Sequence, residues 1–274
     1  IRTLDLGGDK FASELDIVGE MNPALGLRAI RFCLREPEIF RTQLRAILRA
    51  SIYGKVQLMF PMISGLQEIL DARTVLDEVK ADLDREGIAY DPGMAVGIMV
   101  EIPTAVTMSE FLAPHVDFFS IGTNDLIQYA LAIDRVNEHV AYMYQPFHPA
   151  ILRMIQQVVR AARNAKIGVS LCGEMAGDPL CTALLLGLGV NELSMNARTM
   201  PLIKKIIRSL SHKEVCSDLE NVMALQTAEE VRIHILQRMA PLLPELEADG
   251  FLLDRHAPED LLAAGRISSG SHRE

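Results

Sequence analysis

Six short apolar runs, each closed by a loop of small, polar or charged residues, constrain the fold more than any other feature of this sequence. They occupy residues 1–6, 56–62, 95–100, 118–121, 168–172 and 192–195. Runs of this length predict parallel strands buried on both faces. Between them lie amphipathic stretches. Residues 69–83 and 151–165 carry apolar side chains at three- and four-residue spacing with charges opposite, and Pro201 is placed to open a helix over 202–210. Strands alternating with helices predict an α/β fold with a parallel sheet, either doubly wound or closed into a barrel.

The loops favour the barrel. LDLGGDK, FPMI, VEIP, GTNDL, LCGEM and SMNA all follow strand-like runs. A (β/α)8 barrel gathers such loops on one face, whereas a doubly wound sheet concentrates ligand residues at a switch point. Six strands are two short of eight, so the expectation is a TIM barrel whose first two strands lie upstream of Ile1. The chain opens on Ile within a strand-like run, which reads as a start partway through a longer protein. Residues 1–240 are expected to form the barrel domain. Residues 241–274 are expected to form an extension whose Ser/Gly/His/Arg-rich end is disordered.

Composition narrows the partners. The 274 residues are 49% hydrophobic but only 5% aromatic with no Trp, so the core must be aliphatic. A net charge of -9 argues against nucleic acid, because phosphate backbones attract basic faces. A small phosphorylated ligand is still compatible, held by a few local cations and a metal. Cys33, Cys172, Cys181 and Cys216 show no CxxC or Cys/His metal spacing, which reads as a reduced, cytoplasmic protein. No apolar stretch approaches the ~18 residues of a membrane span.

Several residues could carry chemistry. Glu101 ends the run AVGIMVE, and Asp125 follows SIGTN at the next strand end. Two such carboxylates can share a hard divalent cation. Against this, Asn124 or Asp125 is also placed to cap the helix LIQYALAI. Glu101 closes an apolar strand, where a carboxylate needs a partner. Arg2, Arg28 and Arg135 offer donor forks that match phosphate or carboxylate, and Lys10 offers a point charge; each, taken singly, is more readily read as an ordinary ion pair. Gly7 and Gly8 fit either a backbone approach to an anion or a tight turn. Cys172 is either a small hydrophobe or a proton donor. His148, in QPFHP, is not placed by the sequence.

Taken together, the segments RTLDLGGDK (2–10), NPALGLRAIRFCL (22–34), FRTQLRAILRAS (40–51), MFPMI (59–63), VEIPTA (100–105), DFFSIGTNDLIQYALAIDR (117–135) and LCGEMAGD (171–178) resemble the phosphoenolpyruvate-utilising enzymes. Within them the likeness is to the phosphoenolpyruvate–protein phosphotransferases, Enzyme I of the bacterial phosphotransferase system, over about residues 1–226. SIGTNDL with a downstream DR and a CGE segment is the most specific part. LDLGGDK and NPALGLR separate it from the dikinase and synthase branches.

The resemblance implies a phosphoenolpyruvate/pyruvate-type barrel with Mg2+ on Glu101 and Asp125. It implies that Arg2, Arg135 and Asn124, with Arg28 and Lys10 close by, hold the phosphate and carboxylate. Cys172 would exchange a proton with the methylene carbon. The phosphoryl group would pass to a histidine of a separate N-terminal domain and then to a His-bearing carrier protein, with the barrels paired as a homodimer. The family's RTEF-type segment and its GGxxSH-type phosphohistidine motif do not occur in this sequence. The alternative is a non-catalytic phosphoenolpyruvate-binding and dimerisation module. A third reading, a pyruvate-type C–C lyase, has GGDK and Cys172 against it.

Overall fold

A computed structural model describes residues 1–5 and 22–239. In chain order its elements are α1 (Ala29–Arg35), α2 (Pro37–Ala50), β1 (Leu58–Phe60), α3 (Leu66–Glu86), β2 (Val96–Val100), α4 (Pro103–Thr107), α5 (Ser109–Leu112) and β3 (Phe118–Gly122). They continue with α6 (Thr123–Leu131), α7 (Pro149–Ala165), β4 (Gly168–Cys172), α8 (Pro179–Leu188), β5 (Glu192–Ser194), α9 (Met200–Ser209), α10 (His212–Ala224) and α11 (Ala228–Met239). Lys10, Gly7, Gly8 and the expected extension at 241–274 lie outside the described residues.

Five of the six apolar runs are strands, all parallel, paired in the order β1-β2-β3-β4-β5. The order never reverses, so this sheet has no switch point of the doubly wound kind. It is a singly wound wall. The first run, expected as a strand over 1–6, instead makes a single parallel bridge between Arg2 and Met59. The Thr3 N–H donates to the Met59 carbonyl and the Met59 N–H to the Ile1 carbonyl, each at 3.0 Å.

Burial explains why these runs become strands. Every residue of VGIMV in β2 is buried, as expected where helices cover one face and the other turns inward. Outside, α3 buries Ile69, Ala72, Leu76, Val79 and Leu83, the three- and four-residue spacing of one helix face. Its start is fixed by Glu68, whose carboxylate accepts the Gly65 N–H at 3.1 Å and the Ser64 hydroxyl at 3.0 Å. On α2, Phe40 meets Phe60 of β1 edge-on at 6.1 Å, which anchors the helix to the sheet. Arg41 and Arg45 on the outer face of α2 pair with Glu78, Asp82 and Glu86 of α3, exposed contacts that add little stability. No helix among the described residues is long and apolar enough to cross a membrane.

Register decides what meets at the rim. Val100 lies opposite Ile121, and Gly122 opposite Cys172. The C-terminal ends of β2, β3 and β4 are therefore level. Glu101, the first turn of α6 and Cys172 emerge side by side.

Candidate active site at the strand ends

A cavity of about 600 Å³ opens at these strand ends. Arg2, Arg28, Glu101, Asn124, Asp125, Arg135 and Cys172 all line it. Of the residues that the resemblance assigned to the metal, the substrate or the proton, only Lys10 is not seen there, because it lies outside the described residues.

Glu101, one residue past β2, is only 2% exposed. Its Oε1 accepts the Met62 N–H at 2.6 Å, delivered by a backbone held in the left-handed region at φ 57°. Its Oε2 has no hydrogen-bond partner among the described residues and faces Gly122, where a Cβ would come within 2.7 Å of it. Only glycine leaves room there. Burial, with the charges of Asp125 and Asp5 added, outweighs the Met62 N–H and Arg28 and pushes this carboxyl up to about 8.

Helix α6 begins at Thr123 with Gly122 at its cap and no side-chain capping bond. The capping role open to Asn124 and Asp125 is thus not used; both stand in the first turn, where the helix dipole favours an anion. Asp125 Oδ2 accepts from Arg28 Nη2 at 3.3 Å, and the same nitrogen reaches Asp5 Oδ1 at 3.2 Å. Arg28 Nη1 donates to the Tyr129 hydroxyl at 3.1 Å, and Tyr129 in turn donates to the Ala24 carbonyl. Asp5 also pairs with Arg2 at 2.7 Å. Burial opposes the Arg28 charge, but Asp125, Tyr129 and Asp5 more than offset it and hold the guanidinium above its ordinary pKa. Arg2 and Arg28 are thus both ion-paired, and both border the cavity. Arg135 is looser, 4.0 Å from an exposed Glu174 carboxylate.

At the end of β4 the Cys172 thiol lies 3.5 Å from the Ile121 carbonyl and 3.8 Å from the Ser120 hydroxyl. Burial, supported by Glu101 and Asp125, outweighs the Ser120 hydrogen bond and raises its pKa. It is a protonated thiol, suited to giving a proton rather than attacking as a thiolate. Cys33 and Cys181 are buried hydrophobes, and burial pushes the Cys33 thiol up to about 11. His148 is not at the cavity; its Nδ1 accepts the Ala150 N–H and caps α7.

Two participants in this network were missed in the sequence. Asp5 stands three residues after Arg2, a spacing that could have suggested the pair. Tyr129 carried no local signal, since its partner Arg28 is 101 residues away.

The family model for PEP-utilising enzymes, PEP-binding domain, matches residues 1–212. The chain belongs to the PEP-utilising enzymes, in their PEP-binding domain. Proteins named phosphoenolpyruvate-protein phosphotransferase from Staphylococcus carnosus and Bacillus subtilis are each 51% identical over 231 residues, 84% of this chain and 40% of theirs. The namesake from Geobacillus stearothermophilus is 52% identical over the same span. The chain therefore spans about two fifths of the length of these relatives. A solved citrate lyase from Burkholderia xenovorans aligns over 81% of this chain and 72% of its own with a TM-score of 0.46 and 17% identity, too distant to bear on fold or activity.

For this PEP-binding domain the donor set can be tested against a divalent cation. Among the described residues no three His, Cys, Asp or Glu side chains form a ready-made cage. Mg2+ does not ask for one, since it takes one or two carboxylates and fills the rest with water and substrate oxygens. Glu101 and Asp125 on one cavity, with Glu101 Oε2 unpartnered among the described residues and the Asp125 charge disfavouring an ionised Glu101, fit that demand. A cation held by both would offset the burial and the neighbouring charge that keep Glu101 protonated.

Proposed function

We propose that this chain binds phosphoenolpyruvate with Mg2+ and gives up its phosphoryl group to a histidine of a separate N-terminal domain, from which a His-bearing carrier protein receives it. The observation that carries this reading is the convergence of Arg2, Arg28, Arg135, Glu101, Asp125, Asn124 and the protonated Cys172 thiol on a single cavity. Names and identities of the relatives support it. We further propose that the singly wound wall belongs to a (β/α)8 barrel completed by strands outside the described residues, working as a cytoplasmic homodimer.

In this reading Arg2, Arg28 and Arg135, with the Asn124 amide, hold the substrate's phosphate and carboxylate, with Lys10 close by. Glu101 and Asp125 hold Mg2+, which supplies positive charge to the substrate oxygens. The P–O bond to the enol oxygen breaks as a P–N bond forms to the acceptor histidine, and the electron pair stays on the enolate oxygen. The Cys172 thiol then delivers its proton to the methylene carbon, giving pyruvate, and the thiolate regains a proton from water. Arginine side chains already fixed by Asp5 need little reorganisation as charge shifts, which is where most of the rate advantage arises.

Calorimetric titration of the chain with phosphoenolpyruvate, with and without Mg2+, tests the binding step. Mg2+-dependent binding that disappears in Glu101→Ala is expected; binding unchanged in that variant would refute the site. Adding an isolated phosphohistidine domain tests transfer. If labelled phosphate never reaches its histidine while binding is intact, the chain is a binding and dimerisation module.

A further inference from the structure

Asn124, one of two carboxamides at the cavity with Gln128, has two chemically opposite ends. Its oxygen only accepts and its nitrogen only donates, so the end turned inward decides what can be bound. The structure fixes that choice from two sides. The Tyr144 hydroxyl lies 3.0 Å from Asn124 Oδ1, and the backbone N–H of Glu174 lies 2.9 Å from the same atom. A backbone N–H cannot accept, so the atom facing it must be the oxygen. The Tyr144 hydroxyl is held protonated, chiefly by burial, and is available as the second donor. Nδ2, with no partner among the described residues, is left for the cavity that Asn124 lines.

The approach of Glu174 is itself built. Gly173 adopts φ +104°, and a Cβ on it would press into Thr123 Oγ1 and come within 2.8 Å of Asn124 Oδ1. A side chain there would hold the loop after β4 away from the carboxamide. Thr123 keeps the loop near by donating to the Cys172 carbonyl at 2.9 Å. Tyr144 comes from a different part of the chain, the segment that leads into α7.

We infer that Tyr144 is a positioning residue of the site: by bonding to Asn124 Oδ1 it locks the carboxamide so that only N–H donors face the cavity. A carboxamide locked in this way selects a group that accepts without donating, such as an ionised phosphate or carboxylate. A free carboxamide would turn its oxygen inward part of the time and repel the same group. This inference rests on the phosphoenolpyruvate reading of the cavity.

A double-mutant cycle tests it on the full chain, with phosphoenolpyruvate and Mg2+ as the titrated ligand. One neutral hydrogen bond corresponds to about a three- to ten-fold loss of affinity for Tyr144→Phe in the otherwise unchanged chain. In an Asn124→Ala background the same change is expected to cost less than about two-fold, because Tyr144 acts through the residue already removed. Equal losses in both backgrounds would overturn the inference and assign Tyr144 a general structural role. The side-chain amide resonances of Asn124, read in the ligand-free chain and identified by their loss in Asn124→Ala, provide a check without substrate. They are expected to shift in Tyr144→Phe; unmoved resonances overturn the lock even where binding is normal. A wild-type chain that bound no phosphoenolpyruvate would sink the substrate reading, and the resonances would still judge the lock.

Discussion

The Arg28 guanidinium reaches the Asp125 carboxylate at 3.3 Å across 97 residues of sequence. It thereby couples the start of α1 to the rim beyond β3. Both side chains are largely withdrawn from solvent, at 12% and 15% exposure. Removing one partner from such a pair leaves uncompensated buried charge. Arg28→Ala should therefore cost the ligand-free chain about 3 kcal/mol in urea unfolding. Arg28→Lys should recover only part of it, since an ammonium cannot reproduce a fork shared by Asp5, Asp125 and Tyr129. A loss below about 1 kcal/mol would mean that the pair is solvated.

Glu101 gives the metal-free chain a pH dependence of defined sign. Its folded pKa of about 8 stands above the ordinary 4.5, so the folded state keeps a proton that the unfolded chain releases. Stability should fall as pH rises through that window. Glu101→Gln should flatten this part of the profile. Mg2+ binding should release a proton and tighten as pH approaches 8, measurable by calorimetry in buffers of different ionisation enthalpy.

Gly173→Ala should lower stability by about 2 kcal/mol, because alanine resists a φ of +104° and its Cβ meets Thr123. Phosphoenolpyruvate affinity should weaken with it, as Glu174 is pushed off Asn124. Thermal melts and titration of the same variant read the two effects. Lost stability with untouched affinity would separate the loop from the site.

Cys172→Ala should leave phosphoenolpyruvate binding in place and lower turnover by ~100-fold or more, the range for loss of a placed acid. The assay is pyruvate formation with an acceptor domain present. Full turnover in the variant would assign the proton to another donor.

What could be read from the sequence divides along physical lines. Strand β2 falls within its apolar run, because complete burial leaves a contiguous signature. The wall's order was implied by strand–helix alternation. The first run was expected as a strand, yet among the described residues its pairing shortened to one bridge at Arg2, a matter of register that composition does not encode. Among site residues, those at strand ends stood out because polar groups after apolar runs are conspicuous. Asp5 did not, being one more carboxylate in an acidic chain. Tyr129 finds Arg28 across 101 residues and Tyr144 finds Asn124 across 20, and a tyrosine looks the same in the sequence whether its hydroxyl is used or not. The capping role open to Asn124 and Asp125 failed because Gly122 starts the helix earlier, which turns both side chains from caps into first-turn residues.

The Gly122–Cys172 pairing has a consequence for how the chemistry tolerates change. Side chains on a strand alternate, so sliding β4 by a single residue against β3 would exchange the thiol at the cavity for a leucine. The bond from Thr123 to the Cys172 carbonyl works like a mechanical detent, holding the one alignment in which the wall presents sulfur. An insertion or deletion within either strand would leave the core hydrophobic on average and erase the acid outright. Loops around this rim can drift in length; these two strands must keep step.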